Sequence, residues 1–163
     1  FTTNASEMKK LAAHDFEDLL QCSIPVFEGL FPEPYNSMVQ ILLYCTAEWH
    51  AFVKLHLHTD NTLNHLDELT QDLGKLMHNF RDISDANFAT FELPQETEAH
   101  NRWQQKGKGK ATEHMGNSTS AGRKLKNLNL LTYKWHSLAD YVKSIHLFGC
   151  TDGFSTQVGE LAH

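Results

Sequence analysis

Two long runs of apolar residues at helical spacing constrain the fold of this chain more than any other feature. They lie over residues 38–57 and 63–80, and the apolar positions recur at steps of three and four, which places them on one face of an α-helix. The first stripe comprises Met38, Ile41, Leu42, Cys45, Trp49, Phe52, Val53 and Leu57, and the second comprises Leu63, Leu66, Leu69, Leu73, Leu76, Met77 and Phe80. The chain is therefore predicted to contain two long amphipathic helices.

The boundaries of these two helices follow from polar residues that are suited to cap them. The candidate caps are Asn36 or Ser37 for the first helix and Asp60 or Asn61 for the second. The first helix is expected to run to about His58 and the second to cover residues 62–83. Because the connection between them is short, they are expected to form an antiparallel pair.

The sequence before this pair predicts one more helix. Residues 5–21 carry apolar side chains at steps of three and four, and Ser6 is suited to be the N-cap. Proline lacks the backbone N–H that a helix interior uses, so Pro25 is expected to end or break this helix.

The sequence after the pair predicts two further helices. A polar helix over residues 94–105 is expected to be anchored by Trp103 and preceded by a loop at 84–93. The last helix is expected over residues 131–148, with Gly149 as its stop. We find no internal repeat and no strand pattern. The predicted fold class is all-α, a helical bundle with an antiparallel helix hairpin and a flexible basic loop.

Charge is distributed unevenly along the chain. The formal net charge is −6 at pH 7, yet residues 106–126 carry six basic side chains against one acid, which leaves 8 basic and 19 acidic residues elsewhere. The six are Lys106, Lys108, Lys110, Arg123, Lys124 and Lys126. An acidic body with a basic loop is not the even basic face of a dedicated duplex-DNA binder. The basic loop is a candidate for DNA phosphate contact or nuclear import, and a solvated loop is the alternative.

Composition suggests a division into three segments. Residues 106–124 have almost no apolar side chains and predict a flexible linker. We therefore expect a helical region over 1–105, a flexible basic linker over 106–130, and a segment over 131–163 that holds the last helix and the start of another. The three cysteines are widely spaced, so no disulfide framework is expected. No apolar run is long enough to cross a membrane, and a nuclear or cytoplasmic location is expected.

Eleven histidines are many for 163 residues, and four of them lie around the predicted hairpin. These are His50, His56, His58 and His65. Histidine and carboxylate side chains on adjacent turns suit a metal ion. However, His56 and His58 would point about 200° apart on a helix, and the chain contains no HExxH motif. A metal-binding helical bundle stays one hypothesis. His136 and Asp140, one turn apart, are a second polar pair that could orient each other.

Three stretches, at residues 15–36, 42–70 and 132–163, resemble the C-terminal part of large fungal transposases of the Plavaka group, which are related to the Kyakuja–Dileera–Zisupton elements. The third stretch, TYKWHSLADYVKSIHLFGCTDGFSTQVGELAH, carries the strongest resemblance. The resemblance implies a DDE-type nuclease with an RNase H-like core, in which three carboxylates hold two divalent metal ions, Mg or Mn. It places the third carboxylate, a catalytic and metal-binding residue, at Glu160. Most of the helices before it would then be a helical insertion.

The same resemblance limits the activity expected of this chain. The first two carboxylates would lie on core strands that the sequence lacks, and one carboxylate cannot hold two metal ions. We therefore expect a transposase-derived helical fragment that is inactive alone, takes no cofactor itself, and has the missing RNase H-like core, DNA or a second copy as partners. Glu160 as an ordinary exposed residue stays open. The alternatives for the whole chain are a helical protein–protein interaction module and a histidine-based metal-binding protein.

Overall fold

The structure, a computed structural model, describes residues 12–108 and 123–153 and divides the chain into two compact units. The first unit comprises residues 1–80 and 130–163, and the second comprises residues 81–129. The elements are α1 (Ala13–Phe27), α2 (Tyr35–Val53), α3 (Asp60–Asn87), α4 (Pro94–Lys108), α5 (Tyr133–His136), a 3-10 helix (Ser137–Asp140), α6 (Tyr141–Phe148) and a second 3-10 helix (Thr151–Gly153).

The all-α prediction is confirmed. Across the described ranges there is no named strand, and the only extended pairing is one isolated antiparallel bridge between Phe91 and Leu125. None of the helices in these ranges has the length and apolar character needed to cross a lipid bilayer. The three predicted segments divide the chain by amino-acid composition, whereas the two units are groups of residues that contact one another in space. Ser6, the predicted first cap, lies outside the described residues.

The first unit is built around the two predicted amphipathic helices. Their buried side chains form one apolar core together with a residue of α6; its members are Leu42, Trp49, Val53, Leu63, Leu66, Leu69, Leu73 and Ile145. The indole Nε1 of Trp49 donates to the hydroxyl of Thr70 at 2.8 Å, and the rings of Phe52 and His65 pack edge to face at 4.7 Å. These contacts run in opposite directions along α2 and α3, so the pair is antiparallel.

The ends of the helix pair differ from the prediction. Helix α2 stops at Val53 rather than near His58, and the Val53 carbonyl accepts a hydrogen bond from the Thr151 hydroxyl at 3.0 Å. The caps predicted for α3 at Asp60 or Asn61 are wrong, because Thr59 caps the helix. The Thr59 hydroxyl accepts a hydrogen bond from the backbone N–H of Thr62, and the Thr62 hydroxyl accepts one from the backbone N–H of Thr59. This reciprocal pair satisfies two backbone donors that the first turn leaves open.

Helix α1 continues past the proline that was expected to end it. Pro25 lies inside the helix, which reaches Phe27. Only two residues follow the proline, so the helix loses the hydrogen bond of one missing N–H and little else. The turn that follows contains Gly29 at φ 72°, and the Asn36 side chain accepts from the Gly29 N–H at 2.8 Å. Helix α1 is fixed to α2 by Glu17, whose carboxylate accepts from Lys54 Nζ at 2.8 and 2.9 Å.

The predicted last helix is three shorter helical pieces. Helix α5, the first 3-10 helix and α6 follow one another from Tyr133 to Phe148, and Gly149 at φ 86° ends α6 as predicted. Tyr141 packs edge to face on Trp49, with ring centroids 5.1 Å apart. Because a 3-10 piece with fewer residues per turn lies between them, His136 and Asp140 are not spaced by one regular α-helical turn as predicted.

In the second unit, the predicted role of Trp103 and the predicted ends of the linker are wrong. Trp103 does not anchor α4, because 78% of its surface is exposed. At the two ends of the linker expected over residues 106–124, α4 includes residues 106–108, and Arg123 and Lys124 belong to the segment that pairs with residues 90–92; the rest of the expected linker lies outside the described residues.

Candidate nucleic-acid interface

The most basic described surface of the second unit is a short antiparallel ribbon, formed by residues 90–93 and 123–126. The Glu92 N–H donates to the Lys124 carbonyl at 2.9 Å, and the Lys126 N–H donates to the Thr90 carbonyl at 2.8 Å. These two bonds flank the bridge between Phe91 and Leu125, which is therefore a non-hydrogen-bonded pair with closely spaced side chains. Because side chains alternate along extended backbone, Phe91 and Leu125 share one face, and Lys124 and Lys126 lie on the other.

The apolar face of the ribbon is open to solvent. Phe91 is 47% exposed and Leu125 is 58% exposed, and the neighbouring Leu93 is exposed as well. Among the described residues of this unit, no apolar side chain is buried. A two-stranded pairing with an uncovered apolar face is marginal on its own in water, so this face is suited to be covered by a binding partner.

The cationic side chains of the ribbon are exposed but make contacts within the unit. The Arg123 Nε donates to the carbonyl of Glu92, a residue that is buried. Lys126 Nζ lies 3.9 Å from Glu96 Oε1, with both side chains about half exposed. These contacts hold Arg123 against the backbone of the other strand at Glu92 and place Lys126 near the first turn of α4.

Helix α4 starts directly after the ribbon and carries a second exposed aromatic ring. The Glu96 side chain accepts from the Leu93 N–H at 3.0 Å, which fixes the first turn of the helix to the end of the ribbon. At 1.5 Å per residue, Trp103 lies about 14 Å along the helix from Pro94. Arg102, next to it, is exposed, and its Nε donates to the Glu98 carbonyl at 3.4 Å.

The two units carry charges of opposite sign. Residues 81–129 contain 8 basic and 6 acidic side chains, a net of +2, and the rest of the chain contains 6 basic and 14 acidic side chains, a net of −8. Positive charge attracts a phosphate backbone at long range and in a salt-dependent way. Of the two units, the second is the one suited to that contact.

The structure places only part of the predicted site. Three of the predicted cations come together on the ribbon, namely Arg123, Lys124 and Lys126. The backbone of Lys106 and Lys108 lies in α4, but their side chains are not among the described atoms. Lys110 and Glu160 lie outside the described residues. Sequence reasoning missed Phe91 and misjudged Trp103. The alternation in the stretch TFEL, with Phe91 and Leu93 two residues apart, was the available signal for an extended segment.

The histidines near the helix hairpin are distributed among different carboxylates. His50 lies 3.7 Å from Glu17, His65 lies 3.4 Å from Glu48, and His56 pairs with Asp152. In the part of the chain that the structure describes, no three histidine, cysteine or acidic side chains form a group that could hold a metal ion. The histidine-based metal site stays a prediction.

One small cleft opens on the first unit, between α3 and the segment 130–139. Its volume is about 180 Å³, and its lining includes Leu73, Gly74, His78, Trp135 and His136. Sites for drug-sized ligands usually enclose roughly 300 Å³ or more, so this cleft is small for one.

Comparison with known proteins gives no family assignment. No protein-family model, no curated protein and no solved structure matches the chain.

Proposed function

We propose that this chain is a helical segment of a transposase-like DNA strand-transfer protein, and that its ribbon contacts the phosphate backbone of DNA without regard to sequence. The observation that supports this most directly is the exposure of Arg123, Lys124 and Lys126 within four residues of extended chain, on the unit with net positive charge. Lys124 and Lys126 are two residues apart on one face, about 7 Å along the strand. Such a pair can contact phosphates of one strand.

The present partners of these cations do not prevent phosphate binding. An exposed ion pair such as Lys126 with Glu96 contributes about 0–1 kcal/mol, so the lysine can exchange Glu96 for a phosphate at little cost. Arg123 uses its Nε for the Glu92 carbonyl, and a guanidinium has four further N–H donors. The contact to the carbonyl thus positions the guanidinium while leaving most of its donors for a ligand.

The strand-transfer chemistry belongs in this proposal to a larger parent protein. There Glu160 would join two further carboxylates around Mg or Mn ions, and this chain would supply the helical insertion and the DNA contact. No step is assigned to the described residues beyond binding. The sequence resemblance over residues 15–36, 42–70 and 132–163 is the support for this parent.

A salt series tests the DNA contact. Binding of the full chain to a labelled 20-base-pair duplex is measured by fluorescence anisotropy between 50 and 300 mM NaCl. With about three phosphates neutralised, log K should fall against log salt with a slope of about −2.7, and equally for unrelated sequences. A slope near zero would overturn the proposal.

A matched pair of triple variants shows whether the ribbon is the site. The variant R123Q/K124Q/K126Q should lose most of the affinity and flatten the salt slope. The control K75Q/K134Q/K143Q removes three cations from the first unit and should keep both. Equal losses in the two variants would mean that binding follows net charge and not the ribbon.

A helical interaction module is a second candidate, favoured by the outward face of α2. Ile41 and Tyr44, one turn apart, are 55% and 67% exposed, whereas the outward face of α3 is polar. An exposed apolar pair on an otherwise well-packed helix is suited to a protein partner or a second copy. This candidate predicts a mass in solution that rises with concentration and falls to that of a monomer in I41S/Y44S. A monomer at all concentrations counts against it.

A further inference from the structure

We propose that the ribbon selects single-stranded DNA, with an unpaired base stacked on the ring of Phe91 and the neighbouring phosphates held by Arg123, Lys124 and Lys126. This extends the proposed DNA contact from the phosphates to the bases. It explains a feature that phosphate binding alone leaves unexplained, namely the uncovered apolar face of the ribbon that carries the cations.

The ribbon places one cation, Arg123, on the same face as the aromatic ring of Phe91, because side chains alternate along extended backbone. Arg123 lies across the ribbon from Leu93, two residues from the Phe91 position, and its Nε donates to the carbonyl of Glu92 on the strand that carries Phe91. Lys124 and Lys126 flank Leu125 but lie on the opposite face, so their long flexible stems would reach the phosphates of the bound strand around the edge of the ribbon. A single strand supplies at each nucleotide the two complementary groups, an aromatic base face and a negative phosphate.

An unpaired strand fits this face better than a duplex does. In a duplex the bases stack on one another and present only their edges in the grooves, so an external ring finds no base face to cover. In a single strand the base faces are accessible, and stacking on an aromatic side chain tolerates any base. A duplex could therefore use the cations of the ribbon but not Phe91.

Trp103 supplies a second stacking surface in the same unit. Its ring is almost fully exposed, Arg102 is its neighbour, and the Leu93–Glu96 hydrogen bond fixes the start of α4 to the end of the ribbon. A strand that stacks on Phe91 and follows α4 reaches Trp103 after about 14 Å of helix. Binding of a strand should therefore change the fluorescence of Trp103.

The test compares single-stranded and duplex probes of equal length at one salt concentration. The probes are a 20-nucleotide oligo(dT) and a 20-base-pair duplex, measured by anisotropy with the full chain. The variant Phe91→Leu keeps an apolar side chain and removes the aromatic face; Phe16→Leu, an exposed phenylalanine of α1, is the control. Circular dichroism shows whether each variant keeps its helix content.

We expect the unchanged chain to prefer oligo(dT), and Phe91→Leu to weaken that binding roughly 5- to 100-fold while duplex affinity changes less than about twofold. The control should change neither. If Phe91→Leu leaves oligo(dT) binding intact while R123Q/K124Q/K126Q abolishes binding of both probes, the stacking inference is overturned and the phosphate contact stands. If neither probe binds, the stacking inference and the phosphate contact are both overturned. In that case, a mass in solution that rises with concentration, and that Phe91→Leu returns to the monomer, would assign the apolar face to a second copy of the chain.

Discussion

The two units of this chain contain similar apolar residues but bury them to very different extents. In the first unit Leu66 and Leu73 are almost wholly buried, and in the second the described tryptophan, phenylalanine and leucine side chains are all exposed. The first unit has two long helices whose apolar stripes face each other, whereas the second has a one-pair ribbon and a polar helix. Apolar content becomes a core only where two periodic apolar surfaces can meet.

The two units also differ in how their polar groups are hydrogen-bonded. The Trp49 indole donates to the Thr70 hydroxyl, which itself donates to the Leu66 carbonyl at 2.7 Å, so these two polar side chains at the border of the core are satisfied. The ribbon depends on backbone hydrogen bonds and on contacts of exposed cations. We infer that stability resides in the first unit and that the second unit gains most from a ligand.

The largest expected effect is a truncation in the core of the first unit. Leu66→Ala removes a fully buried side chain between α2 and α3 and should lower the free energy of unfolding by about 3–5 kcal/mol. Leu93→Ala, at an exposed leucine of the second unit, should change it by less than about 1 kcal/mol. Urea denaturation followed by circular dichroism measures both. Equal losses would show that the contrast between the units is false.

A smaller effect is expected where a polar atom loses its partner at the edge of the core. Thr70→Val leaves the Trp49 N–H without its acceptor and should cost about 1–3 kcal/mol. Thr46 is the matched control, because its hydroxyl also donates to a carbonyl one turn earlier, that of Leu42, but accepts from no indole. Thr46→Val should therefore be milder by the contribution of the Trp49 bond. Equal effects of the two valines would contradict this account.

The pH dependence of stability should also come from the first unit. Burial lowers the pKa of His50 and of His58 below the ordinary 6.5; for His50, Glu17 opposes the effect of burial and Lys54 adds to it. At a pH between the lowered pKa of the folded state and the ordinary pKa of the unfolded state, the unfolded chain therefore binds more protons than the folded chain. The free energy of unfolding should be at its full value above pH 6.5 and should fall as the pH drops from there through the pKa values that His50 and His58 have in the folded state.

Unfolding in urea at several pH values between 8 and 5 checks this slope. The double variant H50Q/H58Q should flatten it, and His78→Gln, at an exposed histidine, should leave it unchanged. A separate loss is expected at lower pH, because the hydrogen bond from Lys54 lowers the pKa of Glu17 below 4.5. The contribution of Glu17 to stability is complete above pH 4.5 and is lost as the pH falls through the pKa of Glu17 in the folded state. A slope that persists in the double variant would contradict the assignment to these histidines.

How far the sequence predicts this molecule depends on the sequence distance between interacting residues. The stripes of α2 and α3 are local and were predicted, whereas the choice of Thr59 over Asp60 as cap depends on its reciprocal bonds with Thr62. The ribbon pairs Phe91 with Leu125 across a long interval of chain, so the short alternation at Phe91 and Leu93 had no partner strand nearby in the sequence and the segment was predicted as a loop. The sequence therefore singled out the cationic residues of the candidate interface, and it did not single out Phe91.

The smallest expected effect concerns the acid that borders the ribbon. Glu96→Gln removes a negative charge 3.9 Å from Lys126 while keeping an oxygen that can accept from the Leu93 N–H. Because the ion pair is half exposed, stability should change by less than about 1 kcal/mol. The lysine no longer has a competing carboxylate, so affinity for duplex and single-stranded DNA should rise together, by about two- to threefold at low salt, and the gain should vanish as salt screens the charge. Glu98→Gln, on the same helix, is the control in anisotropy titrations. A gain for only one of the two probes would mean that Lys126 acts through the bases and not through the phosphates.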